Sequence, residues 1–278
     1  MSQLNALMAR LVDGLLSPFA NQSPLVGLAV VSLLAAVVML VVVRVSSNQA
    51  RLGAVRRAIH ACWFEIRLFN RDVPAMWRAL GEMIRHHLAY LGALAVPILL
   101  TSIALGPVIA QLPFHYGYGA LQVGQHALVT ARMRANLSLG VDAAKPDAVL
   151  TAPPGLRVET PAVWVPSLRE AAWRIAATAP GEYDLAVQVG GQSVTKRVRA
   201  SGGIIRRSPV RPDRSIVQQL LYPAESPLPK DSLVESVAVT YPRREIGVFG
   251  HTVHWTVIFI GFTMLFAVAI QRSLLVVR

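Results

Sequence analysis

Apolar positions recur along this chain in three patterns, and each pattern predicts a different element. In residues 49–69, Leu52, Val55, Ile59, Cys62, Trp63, Ile66 and Phe69 return every three or four positions, with Arg51, Arg56, Arg57, Glu65 and Arg67 largely between them. That spacing predicts an amphipathic helix. Asn70 to Pro74 interrupts it, because Asp72 suits a helix cap and Pro74 fits only in a first turn. A second helix carries Met76, Leu80, Met83, Ile84 and Leu88 on its apolar side and runs directly into a long apolar stretch.

The second pattern is the unbroken apolar run. Residues 25–43, 88–112 and roughly 246–270 have the length, about 20 residues, that a helix needs to cross a hydrocarbon core. Residues 4–19 place Leu4, Met8, Leu11, Val12, Leu15, Leu16 and Phe19 on one face, which predicts a short helix lying in the interface. The first span is almost all Leu, Val and Ala with Ser32 as its only hydroxyl, so it carries no proton relay. In the second span Pro97, Thr101, Ser102 and Gly106-Pro107 interrupt the run, and a kink is expected, either lining a cavity or improving packing. Pro113 to Tyr118 reads as an aromatic belt.

From Gly119 the period changes to two. Residues 127–131, 135–141, 162–165, 171–177, 183–189, 193–198 and 234–241 are short strand candidates bounded by Pro, Gly, Asp or Asn, and they predict a β-sandwich. Gly190-Gly191 suits a tight hairpin. The basic, proline-containing stretch 206–214 reads as an exposed linker or edge loop. Residues 179–187 resemble the turn and tyrosine-bearing strand of immunoglobulin-like and fibronectin-like domains. That resemblance implies a tyrosine-corner role for Tyr183; the alternative is a tyrosine that simply fills a strand position. The family's cysteine pair is absent, so the likeness extends to architecture alone.

These patterns predict an α+β membrane protein. Residues 1–24 form an outer interfacial amphipathic helix and 25–43 the first transmembrane helix. A cytoplasmic helical hairpin occupies 44–87 and the second transmembrane helix 88–112. An extracytoplasmic β-sandwich follows at 113–245, then the third transmembrane helix at 246–270 and a cytoplasmic tail at 271–278.

Composition supports the membrane assignment: of 278 residues, 54% are hydrophobic and 15% charged, and the mean hydropathy of +0.48 exceeds what a water-soluble domain tolerates. Orientation follows from the loop between the first two spans, where eight arginines face only Glu65, Asp72 and Glu82. The positive-inside rule puts that loop in the cytoplasm of an inner membrane, with the N-terminus and β-domain outside and the C-terminus inside. The net charge of +12 is divided between two sides of a membrane and is not interleaved with stacking aromatics, so anionic lipid headgroups are the expected partner and nucleic acid is not. Cys62 is the sole cysteine, which excludes an intramolecular disulfide. The first apolar run starts late, is long and is followed by Arg44, so an uncleaved anchor is expected in place of a signal peptide.

Catalytic and cofactor signatures are missing: there is no Walker loop, dinucleotide fingerprint, nucleophile elbow, zincin pair or EF-hand loop. His251 and His254 stand one helical turn apart, the spacing of a two-histidine metal site, with His115 and Glu245 as the nearest third ligands. Interfacial histidines beside an aromatic belt are the simpler reading. His60, Cys62, His86 and His87 form a nominal cluster, but His60 and Cys62 diverge on a helix, and Cys62 fits the apolar stripe. A non-enzymatic protein without metal or cofactor is expected.

Met83 to Leu91, leading into Leu94 to Leu100, resembles the coiled-coil exit and proline-bearing span of YidC-type membrane insertases, whose shorter archaeal and eukaryotic relatives have three spans. The resemblance implies a hairpin that handles other membrane polypeptides, in an insertase-like or chaperone-like factor. Trp63, Ile66, Met76, Met83, Pro97, Thr101 and Ser102 are the candidate contacts on the hairpin and second span. The first span has no charge between residues 25 and 43, so a groove that attracts acidic clients by charge is not expected. The competing expectation is an envelope scaffold whose immunoglobulin-like outer domain binds a protein or cell-wall partner.

Overall fold

The computed structural model describes residues 2–69, 71–134, 146–248 and 250–276, with side chains described outside 2–6, 220 and 274–276. The chain is mixed helix and antiparallel sheet. It divides into two compact units: Met1–Val30 with Pro107–Gly261, and Val31–Gly106 with Phe262–Arg278. The helix α1 (Ser2–Leu16) is followed by α2 (Pro24–Ser46), α3 (Gln49–Leu68), α4 (Val73–Ile109) and a single turn, α5 (Pro113–Tyr116). The strands follow as β1 (His126–Met133), β2 (Ala148–Thr151), β3 (Leu156–Val158), β4 (Val163–Val165), β5 (Glu170–Ala177), β6 (Glu182–Val189) and β7 (Gln192–Arg199). After β8 (Val210–Arg211) come α6 (Ile216–Leu221), β9 (Val234–Val239), β10 (Ile246–Val248), β11 (His251–Val253) and α7 (Trp255–Val276).

In the first unit, alternation does the sorting. β1 turns Ala127, Val129, Ala131 and Met133 inward, and β6 does the same with Leu185, Val187 and Val189. One antiparallel sheet runs β3-β5-β1-β9-β8, with β4 also on β5; a second runs β2-β6-β7. Trp173, Ile175 and Val237 from the first and Leu150, Leu185 and Val198 from the second join one buried cluster. β6 and β7 are linked by Gly190 and Gly191 at φ +54° and +78°, a two-residue turn that needs positive φ at both positions. Tyr183 Oη donates to Ala179 O at 3.0 Å, and its ring lies where a side chain on Gly155, φ +105°, would stand.

In the second unit, Asn48 caps α3 by accepting from the Arg51 N–H, and Asp72 caps α4 by accepting from the Ala75 N–H, with Pro74 in its first turn. The second amphipathic helix and the second apolar run form one helix: α4 is 37 residues long, about 55 Å at 1.5 Å per residue. It continues through Pro97. Among the described residues, three helical stretches are long and apolar enough to cross a membrane: Pro24–Ser46, Val73–Tyr116 and Trp255–Ser273.

Three expectations are corrected and one falls outside view. Residues 246–248 and 251–253, at the expected start of the third span, pair as β10 and β11, with Gly250 at φ +82°; the helix begins only at Trp255. His251 therefore lies in a strand and His254 precedes the helix, so the two do not share a helical face. The stretch 206–214 is not simply an exposed loop. Arg207 is fully buried, where its guanidinium donates to the carbonyls of Tyr118, Ile205, Ser201 and Gly203, all outside the named strands. Burial, with Arg244 close by, pushes Arg207 down to about 10. The strand expected at 135–141 lies outside the described residues.

Candidate functional site

The helical pair α3–α4 gathers most of the residues singled out from the sequence. Arg56 Nη2 donates to Tyr90 Oη at 3.3 Å. Farther toward the turn, the Cys62 thiol and the Glu65 carboxylate meet Glu82, all within 4.8 Å of one another. Positions that rise along α3 thus meet positions that fall along α4, and the two helices run antiparallel.

Their sheltered sides have coiled-coil spacing. On α3 these are Leu52, Val55, Ile59, Cys62 and Ile66; on α4, Met76, Ala79, Met83, His86 and Tyr90. Each row steps three, four, three, four, the period that keeps one seam facing a partner helix. Ile66, Met76 and Met83 are half-buried members of these rows.

Apolar residues remain outside the seam, as a cluster at the end of α3 and as a row along α4. Trp63 is 54% exposed and Trp77 65%, and Phe64, Leu68, Phe69, Ile84 and Leu88 are exposed as well. Trp63 and Phe64 meet edge to face with centroids 6.0 Å apart. On α4 the row continues through Leu91 to Ile98, also exposed. Aromatic side chains bury the most apolar area per residue, so the Trp-Phe pair is the costliest part of this surface to leave in water. Of the sequence-predicted contacts only Trp63 belongs to it; Trp77, Phe64 and Phe69 were marked by the same wide stripe or by none.

Farther along α4, Pro97 is buried and removes one backbone N–H from the helix ladder. Ser102 Oγ donates to Ile98 O at 2.9 Å, while the Thr101 hydroxyl is buried without a hydrogen-bond partner among the described residues. An orphaned hydroxyl in an apolar helix is a point where a polar group of another chain would be welcome.

Cys62, Glu65 and Glu82 are the one set of potential metal ligands gathered among the described residues. Cys62 is 4% exposed. Burial pushes its thiol up, and Glu82 and Glu65 add to the shift. His60 is exposed and outside the set.

In the other unit a polar cluster ties α1 to the β-rich segment. His115 is buried, with Nε2 2.8 Å from Asp13 Oδ1 and Nδ1 3.2 Å from Gln111 O. Arg206 Nε donates to the same Asp13 oxygen at 3.1 Å. Partial burial would raise the Asp13 carboxyl, but His115 and Arg206 outweigh it and hold it below the usual aspartate range. The chain matches no protein-family model and no curated protein.

Proposed function

We propose that the chain is a non-enzymatic integral membrane protein that contacts other membrane polypeptides through the outer apolar row of the α3–α4 hairpin, as an insertase-like or chaperone-like factor. The observation that carries this reading is the exposed row Trp63, Phe64, Trp77, Ile84 and Leu88, left over after the helices have satisfied each other. A soluble hairpin needs one apolar face, and this one has two. At about 55 Å, α4 outruns a hydrocarbon core of about 30 Å, so its first turns stand in water. Arg85, His86 and His87 mark the crossing point, and the arginine-rich side is the cytoplasmic one. The row leads from that aqueous end along α4 into the apolar run, a path along which an apolar segment of a client stays covered while it enters lipid. The order of span, hairpin and proline-bearing span in YidC-type insertases supports the same reading. Proteoliposomes holding the full chain are expected to raise the protease-protected fraction of an in vitro synthesised single-span protein above that of empty liposomes. An equal fraction rejects the insertase reading.

A second reading rests on a different observation, the two-sheet core with the Tyr183–Ala179 bond. It makes the β-unit an immunoglobulin-like sandwich on the outer side of the membrane and the protein an envelope scaffold. Its test is cross-linking of the full chain in cells. A stoichiometric envelope partner attached through residues 119–241 favours the scaffold, and attachment confined to the hairpin rejects it.

A further inference from the structure

The alternation along β7 sends Val194, Lys196 and Val198 inward and Thr195 and Arg197 outward. A lysine among core positions needs partners, and Lys196, fully buried, pairs with Glu225 and donates to Ser208 O at 2.8 Å. In front of it lies a cleft of about 350 Å³ within the first unit, lined by Arg197, Arg199, Arg206 and Arg211.

Each guanidinium is held from one side. Arg197 Nε bonds Asp184 at 3.4 Å; Arg199 Nη1 donates to Arg206 O at 2.7 Å and Nε lies 2.9 Å from Glu182. Arg206 Nε donates to Asp13 and Nη2 to Ala9 O, while Arg211 Nε donates to Ser226 O and Nη1 to Thr195 Oγ1. Among the described residues, each retains at least one terminal nitrogen without a partner. The carboxylates on the wall, Asp13, Asp184 and Glu225, are all engaged, and with Glu182 counted the five cations still outnumber the acids. Like charges crowd here: burial lowers Lys196 and Arg206, and neighbouring arginines lower them further.

We propose that this cleft binds a phosphate group, as a phosphomonoester or phosphodiester, between the guanidiniums of Arg197, Arg199, Arg206 and Arg211. The planar arginine fork matches phosphate oxygens, and arginines pinned along one edge lose little freedom on binding. The volume falls within the range of small-ligand sites and takes the phosphate with part of its ester. The excess positive charge, unrelieved by a fourth wall carboxylate, is what an anion neutralises. Leu7 and Leu11 on α1, the helix that contributes Asp13, are exposed, as on an amphipathic helix at a lipid interface. A lipid headgroup and a soluble phosphate ester are thus the two sources of this chemistry.

Calorimetric titration of the full chain in neutral detergent, with inorganic phosphate and with short-chain phosphatidylglycerol, separates them. The expected result is saturable binding that weakens with added salt and falls about tenfold or more in R197A and in R211A. R132A, outside the cleft, binds like the unaltered chain. Saturation by phosphatidylglycerol alone assigns a headgroup, and saturation by both probes assigns free phosphate. The Arg197 side chain is 57% exposed and, among the described residues, bonds only Asp184, so R197A keeps its thermal midpoint and reports on binding alone. Failure of both probes to saturate, or R197A and R211A binding like the unaltered chain, overturns the proposal.

Discussion

Arg56 and Tyr90 meet through a hydrogen bond of 3.3 Å across 34 residues of chain, and this contact marks the register in which α3 and α4 lie side by side. From it follows which apolar residues face the other helix and which are left facing outward.

That register is open to chemical test. In E82C, a short bis-maleimide is expected at alkaline pH to bridge the introduced thiol and Cys62 within one chain, because the Cys62 thiol and the Glu82 carboxylate lie within 4.8 Å of each other. The product is a monomer of altered mobility on a denaturing gel. In R57C, on an exposed position of α3, no equivalent bridge to Cys62 forms across the helix. Equal yields in both variants contradict the antiparallel pairing.

The environment of Cys62 predicts its reactivity. Burial and the carboxylates of Glu82 and Glu65 raise the thiol, so alkylation at neutral pH is slow and its rate rises only at a pH above that for a free cysteine. E82Q removes one of the charges and shifts the rate profile toward lower pH. A profile matching free cysteine in the unaltered chain contradicts the assigned surroundings.

Gly155 has two reasons to be glycine: φ is +105°, and an added Cβ would stand 2.2 Å from Tyr183 Oη. G155A is expected to cost about 2–3 kcal/mol from strain alone, and more from the displaced ring. Y183F, which loses only the bond to Ala179, costs about 0.5–1.5 kcal/mol. Thermal unfolding of the full chain gives the order, and a G155A midpoint at or above that of Y183F contradicts it.

The Asp13 carboxyl is held below its usual value in the fold, so the charged form is the one the fold favours. Its contribution is complete above the ordinary aspartate pKa of about 3.9 and is lost as pH falls through the lower folded value. D13N removes that part of the acid dependence. Because the side chain is half exposed, the loss at neutral pH is on the order of 1 kcal/mol or less. Acid-unfolding curves that coincide for D13N and the unaltered chain contradict the latch.

Much of this architecture was legible in the sequence, for physical reasons that also show where legibility ended. The step of three and four residues in α3, the cap at Asp72, and the alternation in β1, β6 and β7 are local signals, and local signals survive without a structure. The apolar stripe of α3 was wider than one interface. Periodicity placed Cys62 and Trp63 together, and only pairing with α4 decided that one is buried and the other exposed. The stretch before Trp255 was apolar enough to pass for helix, but β10 and β11 pair there, with Gly250 at positive φ. β2, β3 and β8, at two to four residues, were too short to show a period. Arg207 folds back onto carbonyls of its own loop and of Tyr118, and Arg206 reaches Asp13 and Ala9 on α1, pairings that no periodic spacing reports. Lys196 did carry a signal, since it sits at an inward step between Val194 and Val198.

The outer row of the helical hairpin as a docking surface for membrane polypeptides is tested most directly by site-specific photo-cross-linking from position 77 or 63 to ribosome-bound nascent chains that expose a membrane helix. Adducts at both positions, absent at the seam position Cys62 and absent when the nascent segment is polar, are the predicted result. Cross-linking no greater from Trp77 and Trp63 than from Cys62, or equal for polar and apolar segments, would contradict it.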